Sequence, residues 1–284
     1  MNLNTFLSSG GLSVVIPVDA AETVPVSAIA GMIVAGLLCV IIPIALLVVY
    51  KLKNRKVSLL SAVWGALGFI VFALVLEQLL HLVMLPIASK NIWAYAFYGA
   101  FAAGIFEETA RFLVFKTLMK KKTSPKDGFM YGIGHGGIES ILLIGTTMMS
   151  YTAIAILVNT IGIDETLAMT GAVDEATKAI AMEQINGIAS TTFAACMLSV
   201  FERILAIIIH LSLSIWVFKA AKEKKSVWLY PAAIVAHAAF DFPAALYQFG
   251  ALPIWVVYTI MAVLLVVIAI IAAKFYKSMN TNAN

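Results

Sequence analysis

Four histidines lie inside apolar stretches of this chain, together with several acidic and two basic side chains. Imidazole and carboxylate groups are the ligands of catalytic zinc sites, in which three protein ligands leave a fourth position for water. The same groups take and give protons during hydrolysis. The residues concerned are His81, His135, His210, His237, Glu77, Glu107, Glu108, Glu139, Glu202, Asp241, Arg111 and Arg203.

Their spacing places several of these residues on shared helix faces. His135 and Glu139 are four residues apart, as are His237 and Asp241. Residues four apart are neighbours on the surface of a helix, so each pair lies on one face. Arg111 follows two consecutive glutamates at a distance from which either could pair with it.

The composition indicates what solvent surrounds these residues. Of the 284 residues, 62% are hydrophobic and only 12% are charged, with a mean hydropathy of +0.98. A soluble domain carries about 25% charged residues, so membrane lipid is the expected surrounding. The two cysteines, Cys39 and Cys196, both fall in apolar stretches. We expect them to be buried small residues rather than a disulfide.

The apolar stretches predict an all-α fold, a single transmembrane bundle domain over residues 1–284. About 20 apolar residues cross a hydrocarbon core about 30 Å thick. Catalytic-type helices are expected over residues 93–248, and a polar insert on the outer side over 151–190. The seven predicted spans are 28–50, 59–85, 93–116, 128–150, 191–218, 227–248 and 252–274.

Basic residues predict the orientation of the bundle. Of the 19 lysines and arginines, 15 fall in the loops after the first, third and fifth spans or at the end of the seventh. Cytoplasmic loops carry such an excess, so we expect the N-terminus outside and the C-terminus in the cytoplasm. Because these charges serve topology, the pI near 9.0 does not indicate nucleic-acid binding.

The ionisable residues converge on one depth in the membrane. A charge at mid-bilayer costs about 2.5–3.5 kcal/mol on insertion scales, so such residues pair or line a functional cavity. At about 1.5 Å per residue from each cytoplasmic helix end, Glu107 and Glu108 lie roughly 12–14 Å deep. On the same scale Glu139 and His237 lie roughly 16 Å deep, and His210 roughly 13 Å. This common layer predicts a metal site or a proton-handling site.

We interpret the layer as a site for a divalent metal ion, zinc by preference. Glu139, His210 and His237 are the expected ligands, and Asp241 either orients His237 or completes the ligand set. Two further pairs are expected to be structural. Glu77 and His81 are expected to form a hydrogen bond outside the layer, and Glu202 and Arg203 an ion pair.

The polar residues form four motifs: Glu107-Glu108-x-x-Arg111, His135-x-x-x-Glu139, a mid-helix His210 and His237-x-x-x-Asp241. Over roughly residues 104–242 this pattern resembles the YhfC group of intramembrane metalloproteases. That group is similar to the PrsW proteases and, more distantly, to the CAAX prenyl endopeptidases and bacterial self-immunity proteins. The resemblance implies a protein of the bacterial cell membrane.

The chain departs from the PrsW pattern at two positions. Arg111 stands where PrsW-like proteins have lysine, which keeps the charge, and His135 stands where they have phenylalanine. His135 is therefore an additional candidate ligand. Glu139 and Asp241 match the PrsW motifs, since CAAX enzymes usually have histidine and asparagine at the corresponding places.

The resemblance also implies roles. In these families the first glutamate of the first motif activates water, a position that Glu107 fits, with Glu108 as second choice. Arg111 or His135 would stabilise the oxyanion. The expected reaction is cleavage of a membrane-associated peptide near the cytoplasmic face.

Two other functions remain open at this point. A proton- or metal-coupled transporter could use the same acids and histidines as a relay, although we find no internal repeat of the kind that many transporters contain. A non-catalytic seven-helix protein also fits the span count, but such a protein needs no layer of glutamates and histidines at one depth.

Overall fold

The computed structural model describes residues 23–172 and 174–281, and these residues are almost entirely helical, with no strand among them. The expected all-α fold is confirmed. Residues 1–22, which belong to the predicted bundle domain, lie outside the described residues. The helices are α1 (Val26–Lys53), α2 (Leu60–Ala88), α3 (Ile92–Lys116), α4 (Pro125–Ile161), α5 (Ile163–Met169), α6 (Glu175–Ser190), α7 (Phe193–Lys222), α8 (Leu229–Tyr247) and α9 (Ile254–Thr281).

Six helical segments in the described part of the chain are long and apolar enough to cross a membrane. These are α1, α2, α4, α7, α9 and the segment Lys224–Tyr247, which contains α8. The 25 residues of α3 are also sufficient in length, but its inner half carries Glu107, Glu108 and Arg111. The chain is therefore a membrane bundle of about seven spans. The basic loops share one side, which puts the N-terminus outside and the C-terminus in the cytoplasm.

Helix α4 continues past the predicted boundary at residue 150. Its hydroxyl side chains are satisfied inside the helix: Thr152 Oγ1 donates to the Met148 carbonyl oxygen at 2.8 Å, and Thr160 Oγ1 donates to that of Ile156 at 2.8 Å. Such bonds let threonine stand within a helix in an apolar environment. The remainder of the predicted polar insert consists of α5 and α6.

Backbone contacts divide the described residues into two compact units. The first contains residues 42–140 and 204–281, and with them every predicted catalytic and metal-binding residue. The second contains residues 23–41, 141–172 and 174–203. Within the second unit the Val24 amide donates to Asn159 Oδ1 at 2.7 Å. Cys39 and Cys196 are both buried there, as expected.

Glycines in the first unit let helices approach closely around the site. A Cβ at Gly134 of α4 would collide with the Ala62 carbonyl oxygen of α2. On another face of α4, a Cβ at Gly136 would lie 3.1 Å from the His210 Cβ of α7. Small residues of this kind allow tight helix packing in membranes. The site residues on α4 and α7 are therefore brought within hydrogen-bonding range.

Two helices contain π-helical segments next to the site. In α2 the segment Ile70–Glu77 follows Phe69, whose ring packs edge-on against His135 with centroids 5.3 Å apart. In α4 the segment Ser140–Gly145 begins directly after Glu139. π-Helical turns are rare and occur frequently at functional sites.

Candidate metal centre

Polar side chains fill the interior of the first unit. Seven of the predicted site residues are buried: Glu107, Glu108, Arg111, His135, Glu139, His210 and His237. The eighth, Asp241, keeps 36% of its side chain exposed. Charged side chains are almost never fully buried unless paired, so their partners define the site.

Four of these residues form one compact group of ligand-type side chains. One ligand atom from each of Glu107, His135, Glu139 and His210 lies within 4.8 Å of all the others. Glu107 Oε2 is 2.8 Å from His135 Nε2 and 3.7 Å from His210 Nδ1. Glu139 Oε2 contacts His210 Nε2. The group joins α3, α4 and α7.

Arg111 is the central cation of the site and has no solvent exposure. Its Nη1 donates to Glu108 Oε1, and its Nη2 lies 3.6 Å from Glu107 Oε2 and 2.5 Å from His210 Nδ1. Because arginine only donates, Nδ1 of His210 must accept. A neutral His210 therefore carries its proton on Nε2, facing Glu139.

His237 lies between two other carboxylates. Its Nδ1 is 2.7 Å from Glu108 Oε1 and its Nε2 is 3.2 Å from Asp241 Oδ2. The nearest oxygen of Glu107 is 4.0 Å from Nε2. Both ring nitrogens are thus engaged by carboxylates other than those of the compact group.

The chemistry of the buried residues fits a divalent cation. Three carboxylates are buried in the site, those of Glu107, Glu108 and Glu139, and its one permanent cation is Arg111, which lies near the first two. Unpaired buried charge is costly. His135 Nδ1 and Glu108 Oε2 are buried without a hydrogen-bond partner among the described residues. One contact opposes the fit. A metal ion at His210 Nε2 would displace the proton to Nδ1, and Nδ1 could then no longer accept the hydrogen bond from Arg111.

The compact group overlaps the expected ligand set without matching it. Glu139 and His210 belong to both. His135, expected among the catalytic residues, lies in the compact group with Glu107, whereas His237 and Asp241 lie beside Glu108. The individual roles of all eight residues stay predictions.

The pairs expected to be structural are present. Glu202 Oε1 is 2.7 Å from Arg203 Nη2. Glu77 Oε1 is 3.3 Å from His81 Nε2, and His81 Nδ1 is 2.5 Å from the hydroxyl of Tyr98. Sequence reasoning did not identify Tyr98, because its only signal is an aromatic side chain in an apolar helix.

Tyr131 was also not identified from sequence. It is fully buried, its ring centroid is 5.9 Å from that of His135, and its hydroxyl has no hydrogen-bond partner among the described residues. A usable signal existed, since Tyr131 precedes His135 by four residues and so shares its helix face.

Comparisons with known proteins identify the family of this chain. The family model described as YhfC intramembrane metalloprotease matches residues 38–271. A protein of Bacillus subtilis (strain 168), described as uncharacterized membrane protein YhfC, is 34% identical over 198 residues, which cover 67% of this chain and 74% of the relative. No solved structure matches. The chain is thus a bacterial membrane protein and belongs to the YhfC family of intramembrane metalloproteases.

Proposed function

We propose that this chain hydrolyses peptide bonds within the membrane, at the group formed by Glu107, His135, Glu139 and His210. One observation carries the proposal. Four ligand-type side chains from three helices place one ligand atom each within 4.8 Å of the others, in a buried setting with excess negative charge. The description of the family supports the same reaction class.

His135, Glu139 and His210 are the residues that would hold the metal ion. Two imidazoles and a carboxylate are a donor set used by catalytic zinc in hydrolases, and zinc is our preferred ion. When bound, such an ion polarises a carbonyl group and makes water a stronger nucleophile.

Glu107 is the better candidate for the general base. Its Oε2 faces His135, His210 and the compact group, whereas Oε1 of Glu108 is held by both Arg111 and His237. Glu108 is therefore the counter-ion of Arg111, whereas Glu107 belongs to the compact group of ligand-type side chains. Glu107 would accept the proton of the attacking water and return it to the leaving amine nitrogen.

The remaining site residues position the reacting groups or stabilise the charge that develops during the reaction. Arg111 lies 3.6 Å from Glu107 and would stabilise the negative oxygen that develops on the carbonyl, since His135 is assigned to the metal ion. Asp241 orients His237, and His237 in turn holds Glu108. The substrate would be a membrane-associated peptide, cut at the depth of Glu107. That residue is roughly 13 Å from the cytoplasmic end of α3 and roughly 22 Å from its outer end.

The test combines turnover with metal analysis on one preparation. Purified protein in lipid should cleave membrane-anchored reporter peptides and contain a divalent metal. Glu107→Gln keeps the shape of the side chain but removes the proton acceptor, so the rate should fall by about 10²–10⁴. Glu202→Gln, which alters an ion pair in the other unit, is the matched control and should stay active. Equal turnover in wild type and Glu107→Gln would refute the proposal.

One observation favours a second function, a proton- or metal-coupled transporter. Buried Glu77 and His81 form a further polar cluster with half-buried Tyr98 between α2 and α3, toward the outer side of the metal layer. A relay across the membrane needs polar groups at such depths. Metal or proton flux into proteoliposomes, lost in His81→Ala and without any peptide cleavage, would favour the transporter.

A further inference from the structure

The exposure of the site residues is uneven. Glu107 and Glu139 keep only 8% and 10% of their side chains exposed, and Arg111 none. Asp241 keeps 36%. A hydrolytic site needs a route for water and substrate, and among the site residues Asp241 marks the only substantial opening.

On the cytoplasmic side of the site, buried aromatic rings pack against one another. Tyr131 lies one turn below His135, and Phe115 lies one turn below Arg111, where below means toward the cytoplasm. Both are fully buried, as is Phe218 of α7. The Phe115 ring centroid is 4.6 Å from that of Tyr131 and 5.1 Å from that of Phe218. Close packing of this kind leaves few voids as large as a water molecule among these rings.

Asp241 lies on the opposite side of the layer, one turn beyond His237. At about 1.5 Å per residue it is roughly 9 Å from the outer end of α8 and roughly 18 Å from its cytoplasmic end. A carboxylate at such depth is costly against lipid, and intramembrane acids face the protein interior or a water-filled cavity. The exposed part of Asp241 therefore faces water rather than hydrocarbon.

We infer that the site opens toward the outer face of the membrane, through an outer passage lined by Asp241 and Ala244. Water and the scissile peptide reach Glu107 by this passage. The inference rests on the proposed hydrolysis, and it names the substrate class as a polypeptide presented from the outer half of the bilayer rather than a soluble cytoplasmic peptide. Ala244 follows Asp241 by three residues, on the same helix face.

Thiol accessibility tests the passage independently of activity. The background is the Cys39→Ala, Cys196→Ala protein, because both native cysteines are buried. Asp241→Cys and Ala244→Cys are each treated with a charged, membrane-impermeant methanethiosulfonate reagent. The reagent is added to intact cells and, separately, to inside-out vesicles. Ala244→Cys keeps the native carboxylate, so it tests the passage if Asp241→Cys does not fold.

Two positions on α8 are matched controls. Val235 is 57% exposed on an apolar, lipid-facing surface, and Ala238 is 3% exposed. A thiol reacts as the thiolate, which needs water, so Asp241→Cys and Ala244→Cys should react from outside at least about tenfold faster than either control. Reaction only in inside-out vesicles, or reaction no faster than in the Val235→Cys protein, would overturn the inference.

The outcomes separate this inference from the proposed function. A protein that reacts from outside but cleaves no peptide would refute hydrolysis and leave the passage in place. An active hydrolase whose cysteines react only from the cytoplasmic side would refute the passage and leave hydrolysis in place.

Discussion

Nη2 of Arg111 lies 2.5 Å from Nδ1 of His210, so a permanent cation already occupies one side of a candidate metal ligand. The same guanidinium pairs with Glu108. Arg111 thus competes electrostatically with any metal ion that binds the compact group, while it neutralises part of the buried negative charge. The balance between these effects is measurable.

Replacement of Arg111 should show whether its positive charge lowers the affinity of the site for a metal ion. Arg111→Gln removes the positive charge beside the ligands, so metal affinity should rise, by at least about tenfold on Coulombic grounds. Arg111→Lys keeps the charge and should leave metal affinity near that of wild type. Metal titration of both variants, with thermal unfolding to confirm folding, checks the prediction. A folded Arg111→Gln protein that has lost its metal would contradict it.

The two central histidines should respond differently to truncation. His210→Ala removes a member of the compact group, so metal content should fall together with activity. His237→Ala removes a side chain held by Glu108 and Asp241, so activity should fall while most of the metal remains. Metal analysis on matched preparations distinguishes them. Loss of metal in His237→Ala with retention in His210→Ala would favour the ligand set expected from sequence.

Replacement of Glu108 and replacement of Glu107 should have different effects on the stability of the protein, as well as on its activity. Glu108→Gln removes the charge that pairs with fully buried Arg111, and breaking a buried pair costs about 3–5 kcal/mol. Glu107→Gln keeps a hydrogen bond to His135, and Arg111 is 3.6 Å away, so its unfolding temperature should change less. Thermal unfolding in one detergent provides the comparison, and equal losses would argue against the separate roles.

Close packing between α2 and α4 should be sensitive to a single methyl group. Gly134→Ala forces a Cβ into the Ala62 carbonyl, and overpacking typically costs about 1–3 kcal/mol. Gly99→Ala is the control, since a Cβ there meets nothing within 4 Å. Gly134→Ala should unfold at lower temperature and lose activity, because α4 carries His135 and Glu139. Identical unfolding of the two variants would contradict this packing.

The sequence predicted the helical class and the orientation, because hydropathy and the distribution of basic residues are local properties of the chain. Rotation of each helix about its axis is not local. His237 lies in a predicted span, yet its ring contacts Glu108 and Asp241 rather than entering the compact group. Helix α4 also exceeds its predicted end, since Thr152 satisfies its hydroxyl on the helix backbone.

The π-helical segment of α2 determines which side of the helix the residues after it face. Buried residues of α2 recur every four positions, at Ser61, Gly65, Phe69, Ala73, Glu77 and His81. In an α-helix of 3.6 residues per turn a four-residue step overshoots by about 40°, so this stripe would wind more than half way around the helix. The wider turns of Ile70–Glu77 reverse that drift. Re-winding of Ile70–Glu77 as an α-helix of the same length would rotate Glu77 and His81 away from Tyr98, out toward the hydrocarbon.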